Sequence, residues 1–588
     1  MSPAPALTHQ PAPSPAAGPV VELEGLTVEF GRGSHRREVV RDVTLSIRPG
    51  ECLALVGESG SGKSVTARTL VGLTGPGAHV RSRSQRFNGQ DASGWGERQW
   101  TRVRGTEAGF ILQDALSSLD SLRTVGNEVG EVLRLHTELD RAARRERVVD
   151  LLASVGVPDP EVRASQYPHQ LSGGLRQRAL IASAIAADPG FLIADEPTTA
   201  LDATIAAQVL RLLGGLKDAR TGMLVVSHDL AVVADLADRV AVMRNGVIVE
   251  EGSVQAILQD PRHPYTQGLL AAIPSRASRG SRLTGGPAAV RADSTASGRV
   301  SGPAPGATTG ATTVATTGAA GDVPPAALLT VEGITKSYPT PDGTRRTAVD
   351  GVSFALHTGS TLGIVGESGS GKSTVARITL GVEAADAGSV RVHGRSWDEH
   401  RASRDLSARR SVQMIYQDPL HSFDPRKTVR QVIGQAVAAA GTPRAARAGR
   451  VLELLDLVGL PADRARSRPL DLSGGQRQRV AIARALAADP EIIICDEPVS
   501  ALDVSVQARI LDLLTDLQQR FGLSYLFISH DLGVIQHVSR DVLVLKDGAV
   551  LDHGPVDDVF DDPRHEYTRQ LINAIPELPA FRKDQVHP

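Results

Sequence analysis

The sequence predicts an α/β fold with a mostly parallel sheet, and it predicts that fold twice in one chain. The string GESGSGKS occurs at residues 57–64 and again at residues 366–373. Each copy follows an apolar run typical of a buried strand, CLALV or TLGIV, and precedes a segment with a helical pattern. Further apolar runs, such as FLIAD and MLVVS, alternate with helical patterns in both halves. This alternation favours parallel strands connected through helices.

The repeat extends well beyond this string. Matching strings keep the same order in both halves at offsets between 301 and 309 residues, and the drift lies between the lysine of GESGSGKS and the string LSGG. The first copy is the longer one, so we expect its extra residues on loops. A repeat of this length indicates a duplicated domain. The matched pairs are Lys63 and Lys372, Leu171 and Leu472, Asp195 and Asp496, His228 and His530, and Asp260 and Asp562.

Composition and the repeat divide the chain into five parts. We predict a disordered tail rich in Pro and Ala (1–19), a first domain (20–274), a flexible linker rich in Gly, Ala, Thr and Pro (275–327), a second domain (328–577) and a C-terminal tail (578–588). A flexible linker of about 50 residues has an r.m.s. span of roughly 40 Å. We therefore expect the linker to tether the two domains without setting their geometry.

Composition also excludes several classes of protein. Of the 588 residues 41% are hydrophobic, and the net charge is −2, which gives no electrostatic reason to expect nucleic acid as a partner. No stretch approaches 18 consecutive apolar residues, so no membrane span is expected, and the N-terminus lacks the pattern of a signal peptide. The two cysteines, Cys52 and Cys495, lie in apolar runs and are predicted to be buried core thiols.

The repeated string has the form G-x-x-x-x-G-K-S, which predicts a phosphate-binding loop. Its glycines let backbone N–H groups curl around phosphate oxygens, its lysine adds a positive charge, and its last hydroxyl can coordinate Mg²⁺. The helix that follows directs its N-terminus at the same anion. The predicted binding residues are Gly57, Glu58, Ser59, Gly60, Ser61, Gly62, Lys63 and Ser64 in the first copy and Gly366, Glu367, Ser368, Gly369, Ser370, Gly371, Lys372, Ser373 and Thr374 in the second.

Two adjacent carboxylates end one predicted strand of each domain, beside the phosphate loop. The first of each pair is predicted to hold Mg²⁺ together with the hydroxyl that ends the loop. The second is predicted to polarise an attacking water as general base, so its replacement by Gln should spare nucleotide binding and remove hydrolysis. The predicted metal ligands are Asp195, Ser64, Asp496 and Ser373, and the predicted bases are Glu196 and Glu497.

A histidine and a glutamine end further apolar runs in each domain. Alone, His228 or His530 would be interpreted as an ordinary residue at a strand end, but their recurrence with the other motifs favours a contact with the γ-phosphate. Gln113 and Gln417 are placed where an amide can contact both the metal shell and a moving neighbour. We therefore include all four among the candidate catalytic residues, and the two glutamines among the candidate metal ligands.

The strings LSGGLRQR (171–178) and LSGGQRQR (472–479) resemble the signature sequence of ATP-binding cassette (ABC) ATPases. The resemblance includes the glutamine loops, the ALD turns and the switch histidines, and it covers nearly everything outside the tail and linker. It implies two P-loop NTPase domains, each with a mostly parallel sheet, an antiparallel β subdomain and a helical subdomain. The implied signature and turn residues are Ser172, Gly173, Gly174, Ser473, Gly474, Gly475, Gln476, Asp202 and Asp503.

In that family two domains pack head to tail, and each ATP lies between the phosphate loop of one domain and the signature of the other. By the same resemblance Phe30 and Tyr338 match the aromatic residue that stacks on adenine, although a role in the strand core is the alternative for both. One departure is Leu175, which stands where the second signature has Gln476. We predict two active sites, of which the one with the second phosphate loop lacks a polar contact.

Both domains end in similar tails, DPRHPYTQGLLAAIP (260–274) and DPRHEYTRQLINAIPE (562–577). By composition each tail is a turn followed by a short amphipathic helix. The tails are similar to the C-terminal extension of ATPases of the oligopeptide, dipeptide and nickel importer family. That resemblance implies two membrane permeases, an extracytoplasmic solute-binding protein and a peripheral position on the cytoplasmic face of the membrane. Some relatives hold an iron–sulfur cluster in this region, but these tails contain no Cys, so no cluster is expected.

Peptides are the leading prediction for the solute, with glutathione, nickel chelates, siderophores and opines as alternatives. An exporter ATPase would share the catalytic residues, and only the repeated tails argue against it. A soluble tandem-cassette protein acting on ribosomes or DNA is a more distant alternative. The linker is rich in Gly, Thr and Pro where a translation factor would have a charged helix, and the zinc-binding cysteines of a DNA-repair protein are missing.

Overall fold

The structure is a computed structural model. It describes residues 18–31, 36–113, 115–199, 201–217, 219–285, 327–340, 343–403, 406–500 and 502–573. The predicted N-terminal tail up to residue 17, the linker between 286 and 326 and the predicted C-terminal tail lie outside these ranges. Among the described residues, no helix is both long and apolar enough to cross a membrane.

The first domain is built on a six-stranded sheet of mostly parallel strands. Its strand order is β11-β10-β3-β9-β8-β7, and only the edge strand β11 runs antiparallel to its neighbour. A second, antiparallel sheet has the order β2-β1-β5-β6, with β4 also paired to β1. The strands are β1 (Val21–Phe30), β2 (Arg37–Ile47), β3 (Cys52–Val56), β4 (Ala78–Arg81), β5 (Ser84–Phe87), β6 (Gln90–Asp91), β7 (Ala108–Ile111), β8 (Phe191–Asp195), β9 (Gly222–Ser227), β10 (Arg239–Arg244) and β11 (Val247–Ser253).

Helices flank this sheet and also form a separate helical subdomain between β7 and β8. In α5 the apolar residues Val148, Leu151 and Leu152 face the core while most of its arginines face solvent, as its helical pattern predicts. The helices are α1 (Lys63–Thr69), α2 (Glu97–Val103), α3 (Ala115–Ser118), α4 (Val125–His136), α5 (Arg141–Ser154), α6 (Pro160–Ala164), α7 (Gly173–Ile185), α8 (Ala203–Leu216), α9 (Leu230–Leu236), α10 (Val254–Gln259) and α11 (Pro264–Ala271).

The second domain repeats this architecture. Its central sheet has the order β17-β18-β19-β14-β20-β21, and its antiparallel sheet has the order β13-β12-β15-β16. The predicted α/β fold, with an antiparallel subdomain and a helical subdomain in each copy, is therefore confirmed. The strands are β12 (Ala327–Pro339), β13 (Arg345–His357), β14 (Thr361–Val365), β15 (Ala387–Val392), β16 (Arg395–Ser396), β17 (Val412–Ile415), β18 (Ile492–Asp496), β19 (Ser524–Ile528), β20 (Asp541–Lys546) and β21 (Ala549–Pro555).

The helices of the second domain follow the same sequence of roles. Its signature string opens a long helix, as in the first domain, and its tail forms a turn and a short helix. The helices are α12 (Lys372–Thr379), α13 (Trp397–Ala402), α14 (Ser407–Ser411), α15 (Pro419–Ser422), α16 (Val429–Ala439), α17 (Arg447–Leu457), α18 (Gly474–Leu486), α19 (Val504–Phe521), α20 (Leu532–Val538), α21 (Val556–Asp561) and α22 (Glu566–Asn573).

The central strands of the first domain are buried on both faces, because helices cover one side of the sheet and the antiparallel sheet, together with α1, covers the other. Every residue of β3, β8 and β9 is buried, which explains why their sequences are continuous apolar runs. Cys52 and Cys495 are free and fully buried in these sheets, as predicted. Burial raises the pKa of the Cys52 thiol to about 12, so it stays protonated.

The start of the predicted linker does not behave as a flexible tether. Residues 275–285, which we call the docked segment, lie against the second domain, and Leu283 is buried in that domain's core. Leu283 N–H and Thr284 N–H donate to the carboxylate of Asp512 at 3.0 and 3.1 Å. Three arginines of the segment pair with acidic side chains of the second domain. They are Arg276 with Asp557 and Asp561, Arg279 with Asp557, and Arg282 with Asp516.

Candidate nucleotide-binding and catalytic sites

Each phosphate loop connects a buried strand to the helix that begins at its lysine. The loop of the first domain runs from β3 to α1, and that of the second runs from β14 to α12. Two glycines of each loop are required by geometry. A Cβ on Gly57 would lie 2.1 Å from Met243 O, and one on Gly366 would lie 2.2 Å from Leu545 O. Gly62 and Gly371, which precede the helices, have φ values of 106° and 100°, in the left-handed region that favours glycine.

The loop lysines are buried, with only 4% of Lys63 and 6% of Lys372 exposed. Lys63 Nζ donates to Gly57 O and Glu58 O, both at 2.8 Å, so the ammonium group lies inside the curl of the loop. Lys372 Nζ makes the same two contacts at 2.7 Å with Gly366 and Glu367. Burial is the main cause that lowers the pKa of both lysines, and nearby carboxylates oppose it.

The predicted metal ligands meet at the carboxyl end of the central sheet. Ser64 Oγ donates to Asp195 Oδ1 at 2.8 Å, and Ser373 Oγ donates to Asp496 Oδ1 at 3.3 Å. Both aspartates are buried, and burial raises their pKa above the usual value, partly offset by the serine hydrogen bond. Asp195 Oδ2 is buried and accepts no hydrogen bond from the residues that the structure describes.

The structure brings each candidate base together with its glutamine and histidine. Glu196 Oε2 accepts hydrogen bonds from Gln113 Nε2 at 2.7 Å and Thr199 Oγ1 at 3.0 Å, while His228 Nδ1 lies 3.3 Å from Oε1. The second domain repeats this cluster, because Gln417 Nε2 lies 2.7 Å and His530 Nδ1 3.3 Å from Oε2 of Glu497. Three strand ends of one sheet therefore converge on one carboxylate.

Backbone strain accompanies this convergence. Glu196 and Glu497 have φ values of 52° and 47°, in the left-handed region that is unfavourable for residues with a side chain. Strain of this kind persists only where the surrounding structure enforces it, and it concentrates at functional sites. At both sites the residue held in this conformation is the candidate base.

The glutamate and histidine alter each other's protonation. Burial disfavours the charged form of Glu196, but the hydrogen bond and charge of His228 outweigh it, so the pKa of Glu196 lies below its usual value. Burial also disfavours the cation of His228, but the hydrogen bond to Glu196 and its charge prevail, so the pKa of His228 is raised. The same causes act in the same directions on Glu497 and His530. Each pair is therefore biased toward carboxylate and imidazolium.

The signature serines are helix N-caps. Ser172 Oγ accepts from Leu175 N–H at 3.4 Å at the start of α7, and Ser473 Oγ accepts from Gln476 N–H at 3.3 Å at the start of α18. In the second domain the Gln476 side chain also accepts from Ser473 N–H at 3.2 Å and closes a capping box. Leu175 has no polar side chain with which to make this bond. In this structure the departure between the two signatures is thus a difference in helix capping.

The second glycine of each signature packs closely on the helix that follows the ALD turn. A Cβ on Gly174 would lie 2.6 Å from Ile205, and a Cβ on Gly475 would lie 2.3 Å from Val506. The turn aspartates are themselves N-caps, because Asp202 accepts from Ile205 N–H and Asp503 from Val506 N–H, both at 3.1 Å. Signature and ALD turn therefore form one packed unit in each domain.

Each phosphate loop also faces the ALD turn of the other domain. The negative charge of Asp503, in the second domain, partly offsets the burial that lowers the pKa of Lys63, and Asp202 acts in the same way on Lys372. The side chain of Glu58 makes a direct contact across the same boundary. Its carboxylate accepts a hydrogen bond from the hydroxyl of Ser505 and lies 3.9 Å from Arg509.

The two candidate adenine-stacking residues lie at strand ends. Phe30 ends β1 and is half-buried against the core of the antiparallel sheet, while Tyr338 lies near the end of β12. The Tyr338 hydroxyl donates to the carboxylate of Glu383, and Lys336 Nζ lies 6.0 Å from the centre of its ring. Their role in adenine stacking stays a prediction.

Sequence reasoning missed two tyrosines of the C-terminal tails. Tyr265 and Tyr567 each contact the phosphate loop of their own domain, where the tyrosine hydroxyl accepts a hydrogen bond from the N–H of Glu58 at 3.1 Å or of Glu367 at 3.2 Å. The signal was present in the shared strings RHPYT and RHEYT, which keep the same tyrosine in both copies.

Comparison with known proteins agrees with this geometry. A family model described as "ABC transporter" matches residues 40–199 and 349–500, and one described as "Oligopeptide/dipeptide transporter, C-terminal region" matches residues 249–298 and 552–587. The chain is similar to "Oligopeptide transport ATP-binding protein OppD" of Mycobacterium bovis, with 41% identity over 96% of this chain and all of the relative. It is also similar to "Glutathione import ATP-binding protein GsiA" of Salmonella choleraesuis, with 42% identity over 95% of this chain and 89% of the relative.

Among solved structures, the chain matches the ATP-binding cassette MJ0796 in a post-hydrolysis state bound to ADP and Pi. That match has 27% identity and a TM-score of 0.37, and it covers 40% of this chain and 98% of the other. The family model for the ABC transporter recurs in both halves of the sequence. The two relatives match this chain over 100% and 89% of their own length. The chain belongs to the ABC transporter family, as an ATPase that carries two cassettes in one polypeptide.

Proposed function

We propose that the chain drives the uptake of di- and oligopeptides through two separate permease subunits, supplied by an extracytoplasmic solute-binding protein. The observation that carries this proposal is the C-terminal tail present in both domains, together with the match of both tails to the oligopeptide/dipeptide transporter region. The protein would lie at the cytoplasmic face of the membrane and contact the membrane only through the permeases. No nucleic acid partner is proposed.

Two ATP molecules would bind, each between the phosphate loop of one domain and the signature of the other. The proposal is supported by the ALD turns, since each packs with its own signature and faces the lysine of the other domain's loop. In this arrangement the γ-phosphate would meet a signature serine and the N-terminus of its helix, which favours negative charge. The first loop would pair with Ser473, Gly474 and Gly475, and the second with Ser172, Gly173 and Gly174.

The residues at the end of β8 fit a bound Mg²⁺. Ser64 Oγ and Asp195 Oδ1 are already in contact, and the buried Oδ2 of Asp195, which lies 3.8 Å from Arg68 but accepts no hydrogen bond from the described residues, leaves a carboxylate oxygen available. Hydroxyl and carboxylate oxygens are the ligands that Mg²⁺ prefers. Ser373 and Asp496 would serve in the second domain, with Gln113 and Gln417 at the edge of the two metal shells. When bound, Mg²⁺ would neutralise charge on the phosphate oxygens.

Glu196 and Glu497 would orient the attacking water and accept its proton. Both are biased toward the charged carboxylate, which is the form that a base requires. In this structure the oxygens of Glu196 are engaged by Gln113 and His228. A nucleotide that attracts the histidine to its γ-phosphate and the glutamine to the metal shell would release the carboxylate. Glu196 would then be free to act as a base only when a nucleotide occupies its site.

The experiment is reconstitution of the full transporter. The tagged chain is purified from detergent-solubilised native membranes with its bound subunits, placed in proteoliposomes with the solute-binding protein, and tested for ATP-dependent uptake of a labelled tripeptide. Uptake that the double variant Glu196→Gln/Glu497→Gln abolishes supports the proposal. Recovery of ribosomal proteins or DNA-repair factors, with no permease, would contradict it.

Glutathione is the second candidate solute, because the similarity to a glutathione import protein is as extensive as the similarity to the oligopeptide transport protein. The same proteoliposomes distinguish the two. We expect unlabelled tripeptides of varied sequence to compete with uptake of the labelled tripeptide, and glutathione to compete poorly. Competition by glutathione alone would favour the second candidate.

A further inference from the structure

We infer that Tyr265 and Tyr567, one in the C-terminal tail of each domain, are positioning residues that hold the phosphate loop in its nucleotide-binding conformation. The inference rests on the proposed nucleotide site but not on the identity of the transported solute. It gives the tails a role in ATP binding that is separate from any contact with a partner subunit.

The geometry concerns one peptide group, between Gly57 and Glu58. Its carbonyl oxygen accepts a hydrogen bond from Lys63 Nζ at 2.8 Å, and its N–H donates to Tyr265 Oη at 3.1 Å. The lysine therefore holds one end of this peptide plane and the tyrosine holds the other. Rotation of the plane would break both bonds and move the lysine, which the phosphates need in place.

The second domain repeats this arrangement. Lys372 Nζ lies 2.7 Å from Gly366 O, and Glu367 N–H donates to Tyr567 Oη at 3.2 Å. The peptide is unusual in both loops, because Gly57 and Gly366 have φ values of 148° and 153°. The contact of the tyrosine hydroxyl with the loop N–H therefore recurs in both domains.

The tyrosines are themselves fixed. Tyr265 N–H donates to His263 Nδ1 at 3.1 Å, and the turn before it is held by Glu250, whose carboxylate accepts from Arg262 N–H at 2.7 Å and His263 N–H at 3.1 Å. The guanidinium of Arg244 lies 4.7 Å from the centre of the Tyr265 ring. A side chain constrained at its backbone, ring and hydroxyl can transmit the position of the tail to the loop.

In the second domain the same restraints use different residues. Asp552 replaces Glu250 and accepts from His565 N–H at 3.0 Å, and Tyr567 N–H donates to His565 Nδ1 at 3.0 Å. Lys546 Nζ, in place of an arginine, lies 4.3 Å from the Tyr567 ring centre. The partners differ, but the position of the hydroxyl at the loop is the same.

The test removes only the hydroxyl groups. The double variant Tyr265→Phe/Tyr567→Phe keeps both rings over their cations and loses the acceptor for the loop N–H. Because a hydrogen bond contributes a modest net free energy, we expect the full-length chain to bind Mg-ATP about three- to tenfold more weakly. The KM for ATP should rise by the same factor while kcat changes less than twofold, because the loop binds substrate and transition state alike.

The matched control is Tyr525→Phe. Tyr525 is buried in β19, and its hydroxyl donates to Leu514 O at 2.8 Å without contact to a phosphate loop. The Tyr525→Phe variant should have a lower thermal midpoint without nucleotide than the wild type, and its ATP affinity should be unchanged. The inference is overturned if the tail double variant keeps wild-type ATP affinity, or if Tyr525→Phe weakens binding to the same extent.

A separate variant distinguishes failure of the inference from failure of the nucleotide site. Lys63→Ala/Lys372→Ala should abolish Mg-ATP binding. If it binds ATP normally, the proposed nucleotide sites are wrong and the inference is overturned with them. If it loses binding while the tail variant does not, the sites stand and only the role of the tyrosines is rejected.

Discussion

In the first domain the hydroxyl of Ser64 lies 2.8 Å from Asp195, and in the second the equivalent hydroxyl of Ser373 lies 3.3 Å from Asp496. The glutamine–glutamate distance is 2.7 Å in both domains, and the histidine–glutamate distance is 3.3 Å in both. The two copies therefore keep the chemistry of the site almost unchanged. Their differences lie elsewhere.

The surfaces where the domains meet are not equivalent. Glu58 of the first loop contacts Ser505 and Arg509 of the second domain. The residues that correspond to these in the first domain are Thr204 and Gln208, so the second loop's Glu367 is offered no matching cation by sequence. The same reaction requires the same catalytic residues in both domains. A contact between the two domains requires only that the two residues that meet there fit each other. The comparison indicates that the two catalytic sites are equivalent, whereas the contacts between the two domains are asymmetric.

The largest expected effect tests whether the two catalytic sites are equivalent. Glu196→Gln and Glu497→Gln each remove a base without removing a phosphate contact, and the double variant should lower kcat by about 10²- to 10⁴-fold. ATP binding, measured by nucleotide titration, should stay close to wild type. Equivalent sites require that either single variant impairs ATPase activity severely. If Glu497→Gln left hydrolysis untouched while Glu196→Gln abolished it, the second site would be degenerate and the comparison would fail.

The next effect concerns the docked segment. It follows the tail of the first domain, and the described residues contain no equivalent segment after the tail of the second. Asp512 is buried and accepts from Leu283 N–H, Thr284 N–H and the Thr284 hydroxyl at 2.6 to 3.1 Å. Asp512→Ala would leave two backbone donors unpaired, at a cost of about 1–3 kcal/mol. Limited trypsin digestion should then cleave faster after the arginines of the segment, Arg276, Arg279 and Arg282.

Asp516→Ala is the control for this prediction. Asp516 pairs with the same Arg282 at 2.8 Å, but its side chain is 45% exposed, so the pair contributes little to stability. Cleavage should stay close to the wild-type rate in this variant. Equal acceleration by both substitutions would show that surface charge, and not the buried carboxylate, holds the segment.

The docked segment also shows where sequence reasoning ends. The duplication, the mostly parallel sheet and the convergence of Glu196, Gln113 and His228 follow from motifs whose spacing repeats, because strand ends of one parallel sheet meet at one edge. The docking of Leu283 depends on a buried aspartate far away in the chain, and nothing local in a stretch rich in Ser, Arg and Gly indicates it. Tyr265 lies in a string that both copies share, but its contact with the loop is a tertiary contact that the sequence pattern does not reveal.

A smaller effect is the pH dependence of the glutamate–histidine pairs. The folded-state pKa of His228 is raised above the usual 6.5, so its contribution is complete below that value and is lost as the pH rises through the folded pKa. The pKa of Glu196 is lowered from the usual 4.5, so its contribution is lost as the pH falls through that lower value. The double variant His228→Gln/His530→Gln should differ most from wild type in its urea midpoint between about pH 4.5 and 6.5. The difference should shrink on raising the pH further.

His393→Gln is the control for the pH experiment. His393 Nε2 lies 3.4 Å from Glu491, but both side chains are more than 40% exposed, so solvent screens their interaction. We expect this variant to follow the wild-type pH profile. A difference between wild type and the double variant that is constant from pH 5 to 9 would contradict the assignment of charged pairs at the two sites.

The smallest effect addresses the one difference between the signatures. In the second domain the side chain of Gln476 accepts from Ser473 N–H at 3.2 Å, so Gln476→Leu, which reproduces the first signature, should destabilise α18 by about 0.5–1 kcal/mol. Gln476→Glu keeps an acceptor at the same position and should retain the cap. Since the glutamine oxygen is already used within its own helix, ATP affinity should change less than twofold in both variants. A threefold or larger rise in KM for Gln476→Leu, without loss of stability, would instead make this side chain a nucleotide contact, and Leu175 would then leave the second loop's site the weaker of the two.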